Sequence, residues 1–494
     1  MPVSYFIFSF IFFVAIRIFF EIFSDHAGLG SQRFFHYTVY FISVLFSLGI
    51  LFMAFTKKPH EKVFKVMFAA SAVIVIAPVL DLLLSGGKGY NISYFMPGTH
   101  EGLLKRYFTF CGPAVPSGIT PGIKIEIALI MLASFCYLLL NKVYFAKALA
   151  AVWAVYTVFF LYAMIPFIIS WAGRSISLAP FRYSDVLISR FYLLLLLVLL
   201  ALFLLIAEKK MFVTLLKDIR FPRIAHYELM FLAGYLLGRK YEKPAGPLPG
   251  EELFALLLIS AAVFFACLFS LMSNNLADHD IDKISNPSRP LPEGTIDPEK
   301  YRKVSRIAGG LAVLYAASAG FPAFFFVALF MGNYFLYSMP PFRLKRIPVF
   351  SKLAVSLNSL ILVMLGFVLA ERELNSFPAA LFPFFLIGVT LAANFIDLKD
   401  YEGDKAEGIR TLPVILGLKK AKVYTGIFFL LAYWGVYSLF RDRLLLLPAA
   451  ALGLAQFIII NRRNYKERPV FIFYLLSAVL LLCYLQFRYF PNSF

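Results

Sequence analysis

The sequence predicts an all-α polytopic membrane protein of about fifteen transmembrane helices, a nine-helix bundle preceded by a six-helix membrane domain. Three observations predict it. Of 494 residues, 61% are hydrophobic and only 15% charged, with a mean hydropathy of +0.79, whereas soluble chains carry about a quarter charged residues. Apolar runs of ~17–25 residues recur along the whole chain, long enough to cross a bilayer as helices. The runs are continuous, which excludes a membrane barrel with its alternating segments of ~10 residues.

In chain order, the first six segments are 4–22, 35–55, 64–85, 122–140, 146–171 and 187–208. The first holds Arg17, lacks a basic start and has no small-residue cleavage site, so it reads as a membrane helix and not a signal peptide. A basic stretch follows, with Pro222 just before the next apolar run, and a helix-breaking proline there marks a boundary. We divide the chain into a 1–208 membrane domain of unknown role and a 209–494 domain. The second part holds segments 224–238, 252–273, 302–319, 321–338, 351–370, 378–396, 422–440, 443–460 and 469–488.

The net charge of +19 raises nucleic acid as a partner, but in a membrane chain the excess reads as cytoplasmic loop charge lying against anionic headgroups. Placing the N-terminus inside puts Lys57, Lys58, Lys142, Lys209, Lys210, Arg302, Lys303, Lys345, Arg346, Lys419, Lys420, Arg462 and Arg463 inside; Arg239, Lys240, Arg441 and Arg443 are the exceptions. The four cysteines, Cys111, Cys136, Cys267 and Cys483, are scattered and suggest neither a zinc site nor a disulfide framework.

The chemistry gathers where two apolar runs meet water. Asn274, Asp278 and Asp282 follow the run 253–272 at spacing i, i+4, i+8, one helical face. About 120 residues later Asp397, Asp400 and Asp404 follow the run 378–393 at i, i+3, i+7, again one face. Carboxylates so spaced repel unless a cation lies between them, and Mg²⁺ takes one or two carboxylates together with waters and substrate phosphates. Both clusters fall on the inside face, so they read as a Mg²⁺ and diphosphate site. The alternative, a pair of solvated acidic loops, leaves their recurrence at two helix ends unexplained. His279 reads as a polar neighbour, since Mg²⁺ rarely takes imidazole. Arg289 sits in the proline-stiffened turn 287–292, and Tyr337 opens a rigid basic loop ending in Arg343, Lys345 and Arg346. Cations aimed at a diphosphate stabilise its departure.

These residues resemble the UbiA-type intramembrane prenyltransferases. The run 274–282 resembles that family's NDxxDxxxD motif, with Asn275 in place of its second-position Asp, and 286–294 resembles its proline-rich continuation. Residues 397–404 resemble the second motif, DxxDxxxD, followed by Gly408, Thr411, Leu412 and Pro413; 337–346 resembles YxxPPxRLKR; and 220–238 resembles the first helix. The resemblance covers about 216–494 with the motifs in order on nine helices, a UbiA-like bundle. It implies a polyprenyl diphosphate held through Mg²⁺ by Asp278, Asp282, Asp400 and Asp404, with Asn274 and Asp397 completing the metal shell. It further implies that Arg289, Arg343 and Lys345 hold the diphosphate and that Tyr337 positions it or shields an allylic cation. The prenyl group would pass to a lipid or aromatic acceptor. Alternatives are phosphosugar transfer onto a polyprenyl phosphate, and a cation-coupled lipid transporter. A transporter places its coupling charges near the midplane, which the helix-end clusters do not.

Residues 1–208 resemble no family. Their long outside loop, 85–121, holds Asn91 in a glycosylation sequon and His100, Glu101 and Cys111, whose spacing matches no catalytic pattern. Arg17, Glu21, Asp81 and Glu126 lie in or at the ends of apolar runs, where charge is costly and is either functional or snorkels to the interface.

Overall fold

The computed structural model describes residues 3–25, 30–95, 102–112, 118–175, 184–240, 250–371, 373–406 and 410–489. They form two compact units: the first runs to Val213 and includes Gly250 to Ala255, and the second comprises Thr214 to Lys240 and everything from Leu256 on. Among the described residues, twelve helices are long and apolar enough to cross a membrane.

The first unit contains six of them: α1 (Val3–Ser24), α2 (Ser31–Thr56), α3 (His60–Leu84), α4 (Pro121–Leu140), α5 (Phe145–Ala163) and α6 (Asp185–Ala207). α4 opens with the Thr120 hydroxyl accepting from the Ile123 amide and Pro121 in its first turn, the preferred chemistry for a helix start. The charged residues inside these helices do not snorkel. Arg17 Nε donates to Glu21 Oε1 at 2.7 Å, and its Nη1 donates to Glu126 Oε2 at 2.8 Å and to the Ile74 carbonyl at 2.6 Å. Asp81 accepts from the Thr120 hydroxyl at 2.5 Å and the Gly122 amide at 2.7 Å. All four charged side chains are buried, as a charge in hydrocarbon must be when its partners are other helices. The described parts of 85–121 pack back on this unit: the Tyr90 amide donates to the Ser24 carbonyl and the Phe95 amide to that of Ala163. His100 and Glu101 lie outside the described residues. Cys111 is buried, its amide donating to the Tyr156 hydroxyl at 3.2 Å.

The second unit begins within α7 (Lys209–Asp218) and continues through α8 (Phe221–Lys240), α9 (Gly250–Ala277), the short α10 (His279–Ser285), α11 (Pro298–Ala319), α12 (Phe321–Ser338), α13 (Pro348–Glu371), α14 (Leu381–Ile396), α15 (Tyr401–Ala406), α16 (Leu418–Phe440), α17 (Leu446–Asn461) and α18 (Glu467–Tyr489). α8, α11 and α14, all expected to span, are not among the twelve: α8 is not apolar enough, with Arg223, His226 and Glu228 in its first half, α11 opens with Arg302, Lys303 and Arg306, and α14 is short. α8 and α13 touch through their backbones. A Cβ on Gly234 would lie 1.9 Å from the Val363 carbonyl oxygen, and one on Gly366 would lie 2.0 Å from that of Phe231. Lipid offers no hydrophobic drive between helices, so small residues that admit such contact supply the packing.

α14 is short and irregular. Its π-helical turn Phe384–Val389 leads to a 3₁₀ turn, Ala393–Ile396, which delivers the chain to Asp397. The Ser356 hydroxyl of α13 donates to the Phe385 carbonyl.

Candidate active site

The first acidic cluster is built on a break between helices. α9 ends at Ala277, and Asp278, at φ −105° and ψ 9°, starts α10. The Asp278 amide still donates to the Asn274 carbonyl and the Asp282 amide to that of Asp278, so the one-face spacing survives the break. One ammonium touches two of the three residues: Lys345 Nζ donates to Asn274 Oδ1 at 2.9 Å and to Asp278 Oδ2 at 2.5 Å. Arg343 Nη2 donates to Asp278 Oδ1 at 3.2 Å and to the Ala277 carbonyl at 2.9 Å, and the Ser338 hydroxyl donates to Asn274 Oδ1 at 3.0 Å. The basic loop after α12, with its cis Pro340–Pro341 bond and Arg343 in the left-handed region, therefore docks on this cluster. Burial, with Arg343 and Arg346 nearby, lowers the Lys345 ammonium from its usual range against the opposing pull of Asp278. Asp282 is 4% exposed and turns to Arg289, 2.6 Å away, and to the Asn286 amide at 2.9 Å. Arg289, expected on a diphosphate, here pairs with an expected metal ligand.

The second cluster is poorer in cations. Asp397 pairs with Lys352 of α13 at 2.5 Å. The Asp400 amide donates to the Asp397 carbonyl and the Asp404 amide to that of Asp400, so the three stay on consecutive turns. Burial, then the neighbouring carboxylates, push Asp404 above the usual carboxylate range. Asp400 is raised as well, by burial first and then by Glu467 and Asp397, against Lys399 and Lys352. Lys399 itself pairs with Glu467. Gly408 lies outside the described residues.

Among the described residues, no three acidic, histidine or cysteine side chains converge into a preformed metal cage. Mg²⁺ does not require one, because waters and substrate phosphates supply most of its ligands. The donor set suits it: hard carboxylate oxygens, with burial first and neighbouring carboxylates second raising Asp400 and Asp404.

Asn275 is not in the metal set. It is 2% exposed, donates through Nδ2 to Asp218 Oδ2 at 3.1 Å and to the Tyr301 hydroxyl at 3.0 Å, and accepts from Arg220 Nη2 at 3.2 Å. The Tyr301 hydroxyl donates to the same Asp218 carboxylate. Both ends of the amide are used, and a carboxylate here would face Asp218. Asp218, Arg220, Tyr301 and Lys352 were not singled out from sequence. The signal for Lys352 was a lone lysine just inside an apolar run at the end where the acids lie.

Tyr337 is half-buried at the head of an aromatic series: its ring lies 5.9 Å from that of Tyr334, whose hydroxyl is 3.0 Å from that of Tyr227. His226 Nδ1 is 2.9 Å from the Tyr474 hydroxyl and Nε2 is 2.8 Å from that of Ser359. His226 also lines an apolar cavity of about 610 Å³ that begins at Phe395 and Ile396, the residues before Asp397, and runs between α8, α14, α16, α17 and α18.

Residues 229–486 match the UbiA prenyltransferase family. Among similar proteins, a digeranylgeranylglyceryl phosphate synthase of Thermococcus sibiricus is 33% identical over 33% of this chain and 57% of its own length. A protein of that name from Pyrococcus horikoshii is 32% identical over 35% of this chain and 61% of its own length. A homogentisate phytyltransferase of Synechocystis is 30% identical over 33% of this chain and 58% of its own. The matched region thus spans less than two thirds of each relative. A UbiA homolog from Archaeoglobus fulgidus, bound to GPP and Mg²⁺, is 21% identical and covers 55% of this chain and 98% of its own, with a TM-score of 0.42. With the family match spanning more than half its length, the chain belongs to the UbiA prenyltransferase family.

Proposed function

We propose that residues 209–494 carry out Mg²⁺-dependent transfer of a prenyl group from a polyprenyl diphosphate to a lipid acceptor within the membrane. The observation that carries the reading is the juxtaposition at Asp397: a carboxylate cluster short of cations begins where a large apolar cavity ends. A diphosphate and its lipid tail need that pairing. The relatives named digeranylgeranylglyceryl phosphate synthase support a geranylgeranyl donor and a prenylated glyceryl phosphate acceptor; the phytyltransferase makes an aromatic acceptor the alternative outcome.

Asp278, Asp282, Asp400 and Asp404, with Asn274 and Asp397, would hold Mg²⁺, which when bound supplies charge neutralisation for the departing diphosphate. Arg343 and Lys345, already converged on Asp278, are placed to take phosphate oxygens, and Arg289 joins them by exchanging Asp282 for the substrate. Tyr337 helps position the diphosphate or shields the allylic cation by cation–π attraction as the C–O bond ionises. The apolar lining disfavours water, and the acceptor oxygen captures the cation, forming the new C–O bond as its proton is lost. We place both acidic motifs on the cytoplasmic face, where the loop charge puts them, and infer that residues 1–208 deliver, receive or further modify a lipid.

The test is the purified full-length protein in lipid nanodiscs with geranylgeranyl diphosphate, Mg²⁺ and either geranylgeranylglyceryl phosphate or homogentisate. Transfer to the glyceryl phosphate is expected, with Asp278→Ala and Asp400→Ala reducing it by about 10²–10³-fold. Wild-type rates in either variant would remove the proposed site.

A further inference from the structure

The apolar cavity has a definite far end. On α18 its lining runs from Phe471 to Leu485, fourteen residue steps, or about 21 Å at ~1.5 Å per residue. On α8 it runs from His226 to Leu237 and on α16 from Phe429 to Phe440, about 16 Å each. An extended prenyl chain adds about 5 Å per five-carbon unit, from four main-chain bonds of ~1.5 Å in zigzag. With the first carbon beside Asp397, the cavity takes three units along its shorter walls and four along its longest.

At the far end stands a fastened tyrosine. Tyr484 lines the cavity with its ring while its hydroxyl donates to Asp442 Oδ2 at 2.5 Å. Arg488 Nε reaches the same oxygen at 3.4 Å. Asp442 Oδ1 accepts from the Leu444 amide at 3.0 Å, so the carboxylate also caps the turn between α16 and α17. The Tyr484 hydroxyl, then the Leu444 amide, hold Asp442 below the usual carboxylate range. One carboxylate thus ties the α16–α17 turn to α18 at this end of the cavity and holds the Tyr484 hydroxyl in place. Leu444 and Leu445 of that turn and Ala449 of α17 line the cavity at the same end.

We infer that Tyr484, held by Asp442, is the floor that limits the prenyl chain this protein accepts to about four isoprene units. This rests on the prenyl-transfer reading above and deepens it: the limit is set by a wall at the membrane face opposite the acids. A longer chain must displace the ring and break its bond to Asp442. Filling the deep end instead shortens the limit.

The test compares geranyl, farnesyl, geranylgeranyl and hexaprenyl diphosphates on the full-length protein in nanodiscs. For the wild type, kcat/KM is expected to peak at geranylgeranyl and fall at least about tenfold at hexaprenyl, equivalent to about 1.4 kcal/mol. Tyr484→Ala is expected to recover most of that loss, and Ala449→Phe to cut geranylgeranyl use about tenfold while keeping geranyl use within about threefold. Retained geranyl transfer shows that the Ala449→Phe protein is folded. A length profile unchanged in both variants overturns the floor and leaves prenyl transfer standing. If the wild type transfers no chain of any length, the transfer reading falls, and retention of prenyl alcohols of the same lengths by native mass spectrometry decides the floor. Length-dependent retention that Ala449→Phe shortens supports it, and length-independent retention overturns it.

Discussion

Asn275→Asp restores the carboxylate that the family motif carries at this place, and the structure predicts that it harms this protein. Asn275 Nδ2 lies 3.1 and 3.4 Å from the two Asp218 oxygens, and both residues are buried. Two full charges at 3.1 Å repel by about 5 kcal/mol at an effective dielectric of ~20. The pair relieves part of this by retaining one proton, and Arg220 offsets more, leaving a destabilisation of about 2–4 kcal/mol. Melting of the detergent-solubilised protein, followed by tryptophan fluorescence, is expected to drop by several degrees. Exchanging the groups, with Asp218→Asn and Asn275→Asp together, rebuilds one carboxylate–amide contact. The exchange is expected to recover at least about 1.5 kcal/mol as coupling in a double-mutant cycle. A single Asn275→Asp protein that melts with the wild type and binds Mg²⁺ more tightly would refute the reasoning, because Asn275 would then face the metal and not Asp218.

Other expectations follow from the same contacts. Lys352→Met removes the cation 2.5 Å from Asp397; the more negative cluster should reach half-maximal activity at several-fold lower Mg²⁺, read from a Mg²⁺ titration of the rate. Asp400 and Asp404 have raised folded-state pKa values. The folded state therefore binds their protons more tightly than the unfolded chain does, so falling pH stabilises the fold at these positions while protons displace Mg²⁺. The Mg²⁺ concentration for half-maximal rate should rise on acidification at a higher pH than ordinary carboxylates would give, and a pH-independent value down to the normal carboxylate range would contradict this. Asp400→Asn should weaken Mg²⁺ binding more than Asp282→Asn, measured with Mn²⁺ as a spectroscopic substitute.

Helix positions were legible wherever hydrocarbon decides them. The run 321–338 reappears as α12 with the same bounds, while 35–55 lengthens to Ser31–Thr56 because the first turn of α2 is polar. The one-face spacing of Asn274 and Asp278 was also legible, since a helical period dictates it, and a single Lys345 touches both. Pairings across the bundle were not. Nothing local in sequence turns Asp282 toward Arg289, or gives Asn275 a carboxylate from 57 positions upstream. The first depends on how the turn after α10 folds back and the second on how α7 and α11 pack, and periodicity carries no such distance information. Arg17 shows the same limit: its position between apolar residues fits snorkelling or pairing equally, and only the approach of Glu126 from α4 selects pairing.

The charge within the candidate site is unevenly divided, and this orders its proposed chemistry. At the first cluster Asp278 and Asp282 face three cations, Arg289, Arg343 and Lys345. At the second, Lys352 pairs with Asp397, while Lys399, itself paired with Glu467, and Lys352 only partly offset the charge around Asp400. An excess of fixed positive charge suits phosphate oxygens, and an excess of carboxylate suits a divalent cation. The second cluster is therefore the natural seat for the first Mg²⁺. On the proposed reading, the first cluster would gain metal-ligating capacity when an incoming diphosphate draws Lys345 and Arg343 off Asp278 and Arg289 off Asp282. Substrate would then complete the metal site that binds it, and a water molecule, too small to draw away three cations, would not. On that reading, the dependence would favour prenyl transfer over idle hydrolysis of the diphosphate.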